Sequence, residues 1–103
     1  MDAASALSGC GPAFVYAFAK ALTQGAVACG VPADKAGIYT AQTLKGAAEM
    51  LLQFHDPDAL IKAVCSPGGT TIAGIKALEN ADFQNVASVC VTAAYQRALE
   101  LKK

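Results

Sequence analysis

Between Ala13 and Val31 the chain reads AFVYAFAKALTQGAVACGV, and only Lys20, Thr23 and Gln24 in it are clearly polar. Phe14, Ala17, Phe18, Ala21, Leu22 and Gly25 recur at helical spacing and mark one apolar face. The other side carries Val15, Ala19, Ala26 and Cys29, so a helix here has to be covered on more than one side. That demand is hard to meet in 103 residues, because a domain of this size buries a smaller share of its surface on folding than a larger one does. With 54% hydrophobic against 16% charged residues, the chain holds more apolar surface than a small monomer hides. A partner surface is expected, and a dimer is its simplest form.

The remaining segments carry the same period. Pro12 is placed at the first turn of the first helix, where its missing N–H costs nothing, and Gly30 ends that helix. Pro32 opens a second helix with Asp34 in its first turn. Ile38, Ala41, Leu44, Ala48, Leu51 and Leu52 line one side of it, Lys35, Gln42, Lys45, Glu49 and Gln53 the other, and it ends near Phe54. Asp56 is the N-cap of a short third helix with Pro57 just inside. A fourth helix runs from near Thr70 to about Asn80. Asp82 caps a fifth, in which Phe83, Val86, Cys90, Ala93, Ala94 and Leu101 share a side and Lys102 and Lys103 suit the negative end of the dipole. The runs AFVYAF and VASVCVTAAY resemble strands locally, but their length and alanine content favour helix. The expected fold is all-α, a helical bundle in a single domain over residues 1–103, with no internal repeat or linker.

Composition excludes several functions. Eight basic residues balance eight acidic ones and are scattered, which leaves no footprint for a nucleic-acid backbone. The longest apolar run, Ala13 to Ala19, is far below the roughly 20 residues of a membrane span. MDAASALSGCG lacks the basic start and apolar block of a secretory signal, and the expected setting is cytoplasmic. Cys10, Cys29, Cys65 and Cys90 form no CxxC pair and have only His55 to help them, so no metal site is expected. Most of these thiols read as small buried hydrophobes.

Two glycine clusters carry the chemistry. In CSPGGTTIAG, Ser66 before Pro67 is biased to an extended backbone, and Gly68 and Gly69 can take positive dihedrals before a helix begins. Free N–H groups at a helix start, with hydroxyls from Ser66, Thr70 and Thr71, suit a carboxylate or phosphate. The plainer reading of the same residues is a Gly-Gly hinge with Thr70 or Thr71 capping the next helix. The GK[ST] ending of a nucleotide-binding P-loop is absent. The second cluster, SGCGPAF from Ser8 to Phe14, reads as a tight turn and a helix start, without a preceding strand or the third glycine of a dinucleotide fingerprint.

Taken together, SGCGPAFVY, AQTLKGAAEMLL and SPGGTTIAGIKALE closely resemble the C-terminal domain of pyrroline-5-carboxylate reductase over essentially the whole chain. The resemblance implies an oxidoreductase that reduces a cyclic imine to proline with NADPH or NADH, the last step of proline biosynthesis. It implies that a Rossmann domain, not present in these 103 residues, binds the dinucleotide, while the helical domain forms an intertwined homodimer and binds substrate. It places the substrate carboxylate against Ser66, Gly69 and Thr70, with the Thr71 hydroxyl near the ring nitrogen as the catalytic contact. Ser8, Gly9, Gly11, Pro12 and Ala13 would then lie at the nicotinamide edge of the pocket. The start of the chain falls at the usual domain boundary of the family, so a fragment without hydride transfer of its own is expected. Cys10 and Cys65 depart from the small or hydroxyl residues common at those positions.

The competing readings are a helical dimerisation module with no ligand, and the helical domain of a related hydroxy-acid dehydrogenase. The absence of a lysine base and the double glycine argue against the latter. His55 beside Asp56 reads as a solvent-facing loop histidine, and Tyr95 and Arg97 as interface or surface residues.

Overall fold

The side chain of Asp2 accepts a hydrogen bond from the Ser5 amide at 2.8 Å and starts the first helix nine residues before the proline expected to open it. The computed structural model describes residues 2–102, and the expected role of Lys103 at a helix end lies outside them. Helix α1 covers Ala3–Ala28, α2 Ala33–Phe54, α3 Pro57–Val64, α4 Thr70–Asn80 and α5 Phe83–Leu101. Among the described residues there is no strand, as the alanine-rich helical periods predict.

One expected boundary and one expected cap bond are corrected. Pro12 sits in the interior of α1, so Ser8 to Phe14 is helix and not a tight turn. The Asp2 cap and the alanine-rich start nucleate a helix that the proline interrupts only by withholding one N–H from the carbonyl of Ser8, an exposed residue. Asp82 does precede α5 but makes no side-chain cap bond. Its backbone is left-handed (φ 59°), a conformation aspartate tolerates better than most residues, and it reverses the chain between α4 and α5. Asp56, by contrast, caps α3 through the Ala59 amide at 3.2 Å, as its position before Pro57 predicts.

The α1–α2 corner is closed by the glycine motif that commonly ends helices. Gly30 (φ 110°) donates to the Val27 carbonyl at 3.0 Å and Val31 to that of Ala26 at 3.0 Å. The two helices then run side by side, and the Thr23 hydroxyl meets that of Thr40 at 2.8 Å, while Thr40 donates to the Ala36 carbonyl at 3.0 Å. Helix α5 packs on α1, with Phe18 and Phe83 at a centroid separation of 5.4 Å, and α4 packs on α5 while α3 packs on α2.

What this arrangement lacks is a core. Ala6, Gly11, Ala36 and Thr40 are the buried residues among those described. Leu52 is 76% exposed and Ile38 and Tyr16 are each 70% exposed. The cysteines expected to be buried are not: Cys29 is exposed and Cys10, Cys65 and Cys90 are half-buried, all as free thiols. The accessible surface is 7855 Å², whereas a compact monomer of 10.4 kDa exposes about 5,400 Å². The excess, roughly 2,500 Å², is on the scale of an obligate subunit interface.

Candidate functional site at the start of α4

Helix α3 ends at Cys65, whose extended backbone carries the chain away while its amide still reaches the Lys62 carbonyl at 3.2 Å. Ser66, Pro67, Gly68 and Gly69 then form a turn closed by the Gly69 N–H donating to the Ser66 carbonyl at 2.9 Å. Proline at the second position and a glycine of φ 72° at the third are the chemistry of a type II turn. Gly69 has its own reason to lack a side chain: a Cβ there would lie 2.6 Å from Ser66 Oγ and 3.1 Å from the Ser66 carbonyl oxygen. The missing methyl group lets the serine hydroxyl fold over the helix start.

Gly69 is the N-cap of α4 and offers no side-chain cap, and its carbonyl accepts from Ala73 at 3.3 Å. Among the described residues, the amides of Thr70, Thr71 and Ile72 have no protein acceptor. Four helices begin with an aspartate at the cap position or in the first turn: Asp2, Asp34, Asp56 with Asp58, and Asp82. Helix α4 has none. Its positive end is therefore the one without a fixed counter-charge, and three N–H donors with the hydroxyls of Ser66, Thr70 and Thr71 surround it.

Of the residues singled out in the sequence, Ser66, Thr70 and Thr71 are exposed at this turn and Gly69 is half-buried. The Gly69 amide is already committed to Ser66, and the third open donor is Ile72, which sequence reading passed over. The signal was available, because the first free amides of a helix follow its cap by one to three residues. Ser8, Gly11 and Pro12 line a different place, a cleft of about 660 Å³ formed with Leu44 of α2 and Phe83, Ala87 and Cys90 of α5. No residue of the 66–71 turn lines that cleft, so one chain does not bring the two glycine clusters into a common pocket. His55 ends α2 in a left-handed conformation (φ 64°) and is exposed, and Arg97 pairs with Glu100 at 2.9 Å on the surface. No helix is long and apolar enough to cross a membrane, and no cluster of metal-ligating side chains is found among the described residues.

Residues 1–101 match the family model described as pyrroline-5-carboxylate reductase dimerisation. The chain is 50% identical over 102 residues to pyrroline-5-carboxylate reductase 3 of Danio rerio, covering 98% of this chain and 35% of that protein. It is 38% identical over 104 residues to pyrroline-5-carboxylate reductase 2 of Bacillus subtilis, covering 37% of it. Among solved structures, a pyrroline-5-carboxylate reductase from Coxiella burnetii superposes with a TM-score of 0.91 at 39% identity, over 98% of this chain and 38% of that one. The Plasmodium falciparum enzyme with NADP bound gives 0.87 at 37% identity, over 94% and 37%. The chain thus spans little more than a third of the length of these relatives.

Proposed function

From the premise that the chain belongs to the pyrroline-5-carboxylate reductase dimerisation family, we propose that it is the substrate-holding and subunit-pairing portion of an NAD(P)H-dependent imine reductase that forms proline. The observation that carries this reading is the bare start of α4, where Thr70, Thr71 and Ile72 keep their amides open and no aspartate competes for them. A carboxylate seated there is held by several charge-assisted hydrogen bonds, which fixes the attached five-membered ring in one orientation.

Reduction of a cyclic imine adds hydride at carbon and a proton at nitrogen. The hydride is the chemistry a nicotinamide cofactor supplies when bound. On this reading the chain contributes a helix surface at Ser8, Gly9, Gly11, Pro12 and Ala13 toward that cofactor, whose dinucleotide is held by a Rossmann domain outside these 103 residues. Only Ser8, Gly11 and Pro12 of that set share a cleft, and its mostly apolar wall fits the flat edge of a nicotinamide better than its phosphates. This chain's own residues bind and orient. Ser66 and the Thr70, Thr71 and Ile72 amides seat the carboxylate, and the Thr71 hydroxyl donates a hydrogen bond toward the ring nitrogen. Such positioning contributes several orders of magnitude in effective concentration, up to roughly 10⁵ M or more in well-oriented systems. The open surface and the family description support a homodimer as the working form.

Titrating L-proline into isotope-labelled chain tests the reading. Saturable amide shifts confined to Thr70, Thr71, Ile72 and Ser66 are expected, with no NADPH oxidation by the 103 residues alone. Absence of any shift at these amides overturns it and leaves a helical dimerisation module whose glycine turn is a hinge.

A further inference from the structure

We infer that the Ser8 carbonyl, left without its helical partner by Pro12, is the acceptor for the carboxamide of the nicotinamide ring. The inference deepens the reading of the Ser8–Ala13 segment given above and rests on it.

In a regular α-helix the carbonyl of residue 8 accepts from the amide of residue 12. Proline has no amide hydrogen, and Pro12 lies in the interior of α1, so that bond is not made. Ser8 is exposed, and Ser8 and Pro12 both line the cleft shared with Leu44 and Phe83, so the gap between them opens on the cleft wall. A helical carbonyl is normally covered by the side chains three and four positions on, because Cα–Cβ bonds tilt toward the helix N-terminus. Here those positions hold Gly11, with no side chain, and Pro12, with a compact ring. Packing does not require the glycine, since a Cβ at residue 11 would meet Leu7 Cδ1 at 3.7 Å, an ordinary contact. Glycine and proline are the residues a helix interior tolerates least. Side by side in α1, they weaken the helix and bare one carbonyl.

The surroundings decide what such an acceptor recognises. No basic side chain lines the cleft, and its walls include Phe14, Phe18 and Phe83. An anion finds no counter-charge there, whereas a flat neutral ring with a hydrogen-bond donor is matched on both counts. Ser8 also brings a hydroxyl that makes no hydrogen bond within the chain among the described residues, in contrast to Thr23, Thr40 and Thr43, which donate to carbonyls one turn back. A primary carboxamide carries two N–H donors and an acceptor oxygen. The Ser8 carbonyl accepts from the first and the Ser8 hydroxyl donates to the second, so one residue presents the complementary pair. Two bonds to one substituent hold the ring in a single orientation, which is the contribution the proposed reaction asks of this segment.

Titrating nicotinamide into the 103-residue chain, labelled with carbon-13 at its backbone carbonyls, tests the assignment. The control ligand is 3-acetylpyridine, which keeps the ring and the oxygen but has a methyl group in place of the NH₂. The Ser8 carbonyl resonance is expected to shift saturably with nicotinamide and not with 3-acetylpyridine. Nicotinamide is expected to bind roughly 5-fold more tightly, the worth of one neutral hydrogen bond. Pro12→Ala returns an amide hydrogen to the Ser8 carbonyl. It is expected to raise the urea midpoint of the chain and to abolish the preference for nicotinamide, whereas a purely structural role for Pro12 would move the midpoint alone. A Ser8 carbonyl that stays still while nicotinamide shifts neighbouring amides, or a preference that survives Pro12→Ala, overturns the inference and leaves the proposed function standing. If nothing from Ser8 to Ala13 responds to nicotinamide, the inference falls together with the cofactor edge of that reading, and the L-proline titration still tests the turn by itself. Should Pro12→Ala misfold, the comparison of the two ligands on the unaltered chain decides.

Discussion

Two corners of this molecule use the same residues to opposite ends. Both the α1–α2 corner and the α3–α4 corner turn on a glycine with positive φ, Gly30 at 110° and Gly68 at 72°. At the first, Gly30 and Val31 donate back into α1, Lys35 and Ala36 reach the Pro32 carbonyl, and Asp34 lies in the first turn of α2. The helices beyond it are tied by the Thr23–Thr40 hydroxyl contact. At the second, one internal bond closes the turn and three amides at the start of α4 are left open. A corner that satisfies its own hydrogen bonds stores stability. One that leaves them unsatisfied, at a helix start without a fixed anion, stores binding capacity.

The strongest way to break this contrast is to close the open corner. Gly69→Ala sets a methyl group against the Ser66 hydroxyl and carbonyl, at 2.6 and 3.1 Å in the present geometry. The turn has to spread, and the L-proline response measured by amide shifts is expected to weaken by about 2 kcal/mol, roughly 30-fold, the worth of a charge-assisted contact. Gly30→Ala sharpens the contrast from the other side. Its φ of 110° is disfavoured for any residue with a Cβ, so urea denaturation should report a loss of about 1–2 kcal/mol in stability. Proline affinity, corrected for the folded fraction, is expected to remain unchanged.

The smallest effect concerns the capped start of α1. The Ser5 backbone amide, helped by the Ser5 side chain, holds the Asp2 carboxyl below its ordinary value. A carboxyl lowered in this way contributes stability that is fully present above the ordinary carboxylate range and is lost as pH falls through the lowered value. The Ser5 amide shift should therefore titrate in acid below that range and lose its response in Asp2→Asn. The amides of Thr70 to Ile72, with no carboxylate beside them in the free chain, should show no matching step. A midpoint at or above the ordinary carboxylate value would break the assignment of Asp2 as a cap.

The sequence made some parts of this structure legible because the chemistry that fixes them is local. Asp56 before Pro57, Gly30 after a helical run, and Ser66-Pro67-Gly68-Gly69 each fix a boundary through contacts within a few residues, and each boundary stands where it was expected. The reading failed where local rules compete. Pro12 satisfies the rule for a first helical turn, but the Asp2 cap upstream outweighed it, so the first glycine cluster is a helix surface. Asp82 stands at the cap position of α5 as expected, but the left-handed backbone of the reversal between α4 and α5 leaves its side chain without a cap bond. Of the turn's donors the Thr70 amide was legible, whereas the Gly69 amide, expected to be free, is spent on the Ser66 carbonyl, and the Ile72 amide was passed over although its distance from the cap marks it. The separation of the Ser8–Ala13 segment from the turn was not legible, because it depends on which helices pack together and no short pattern encodes that.

The thin interior of the single chain has a consequence for its life in a cell. Apolar side chains such as Leu52 and Ile38 stay open to water until something covers them. If a second copy does so, the shelter forms by a bimolecular encounter, whereas capture by chaperones and proteases follows the amount of uncovered chain. Halving the supply then quarters the rate of sheltering, so the abundance of the protein should fall more steeply than its synthesis. A mild change in expression would act on this molecule as a larger one.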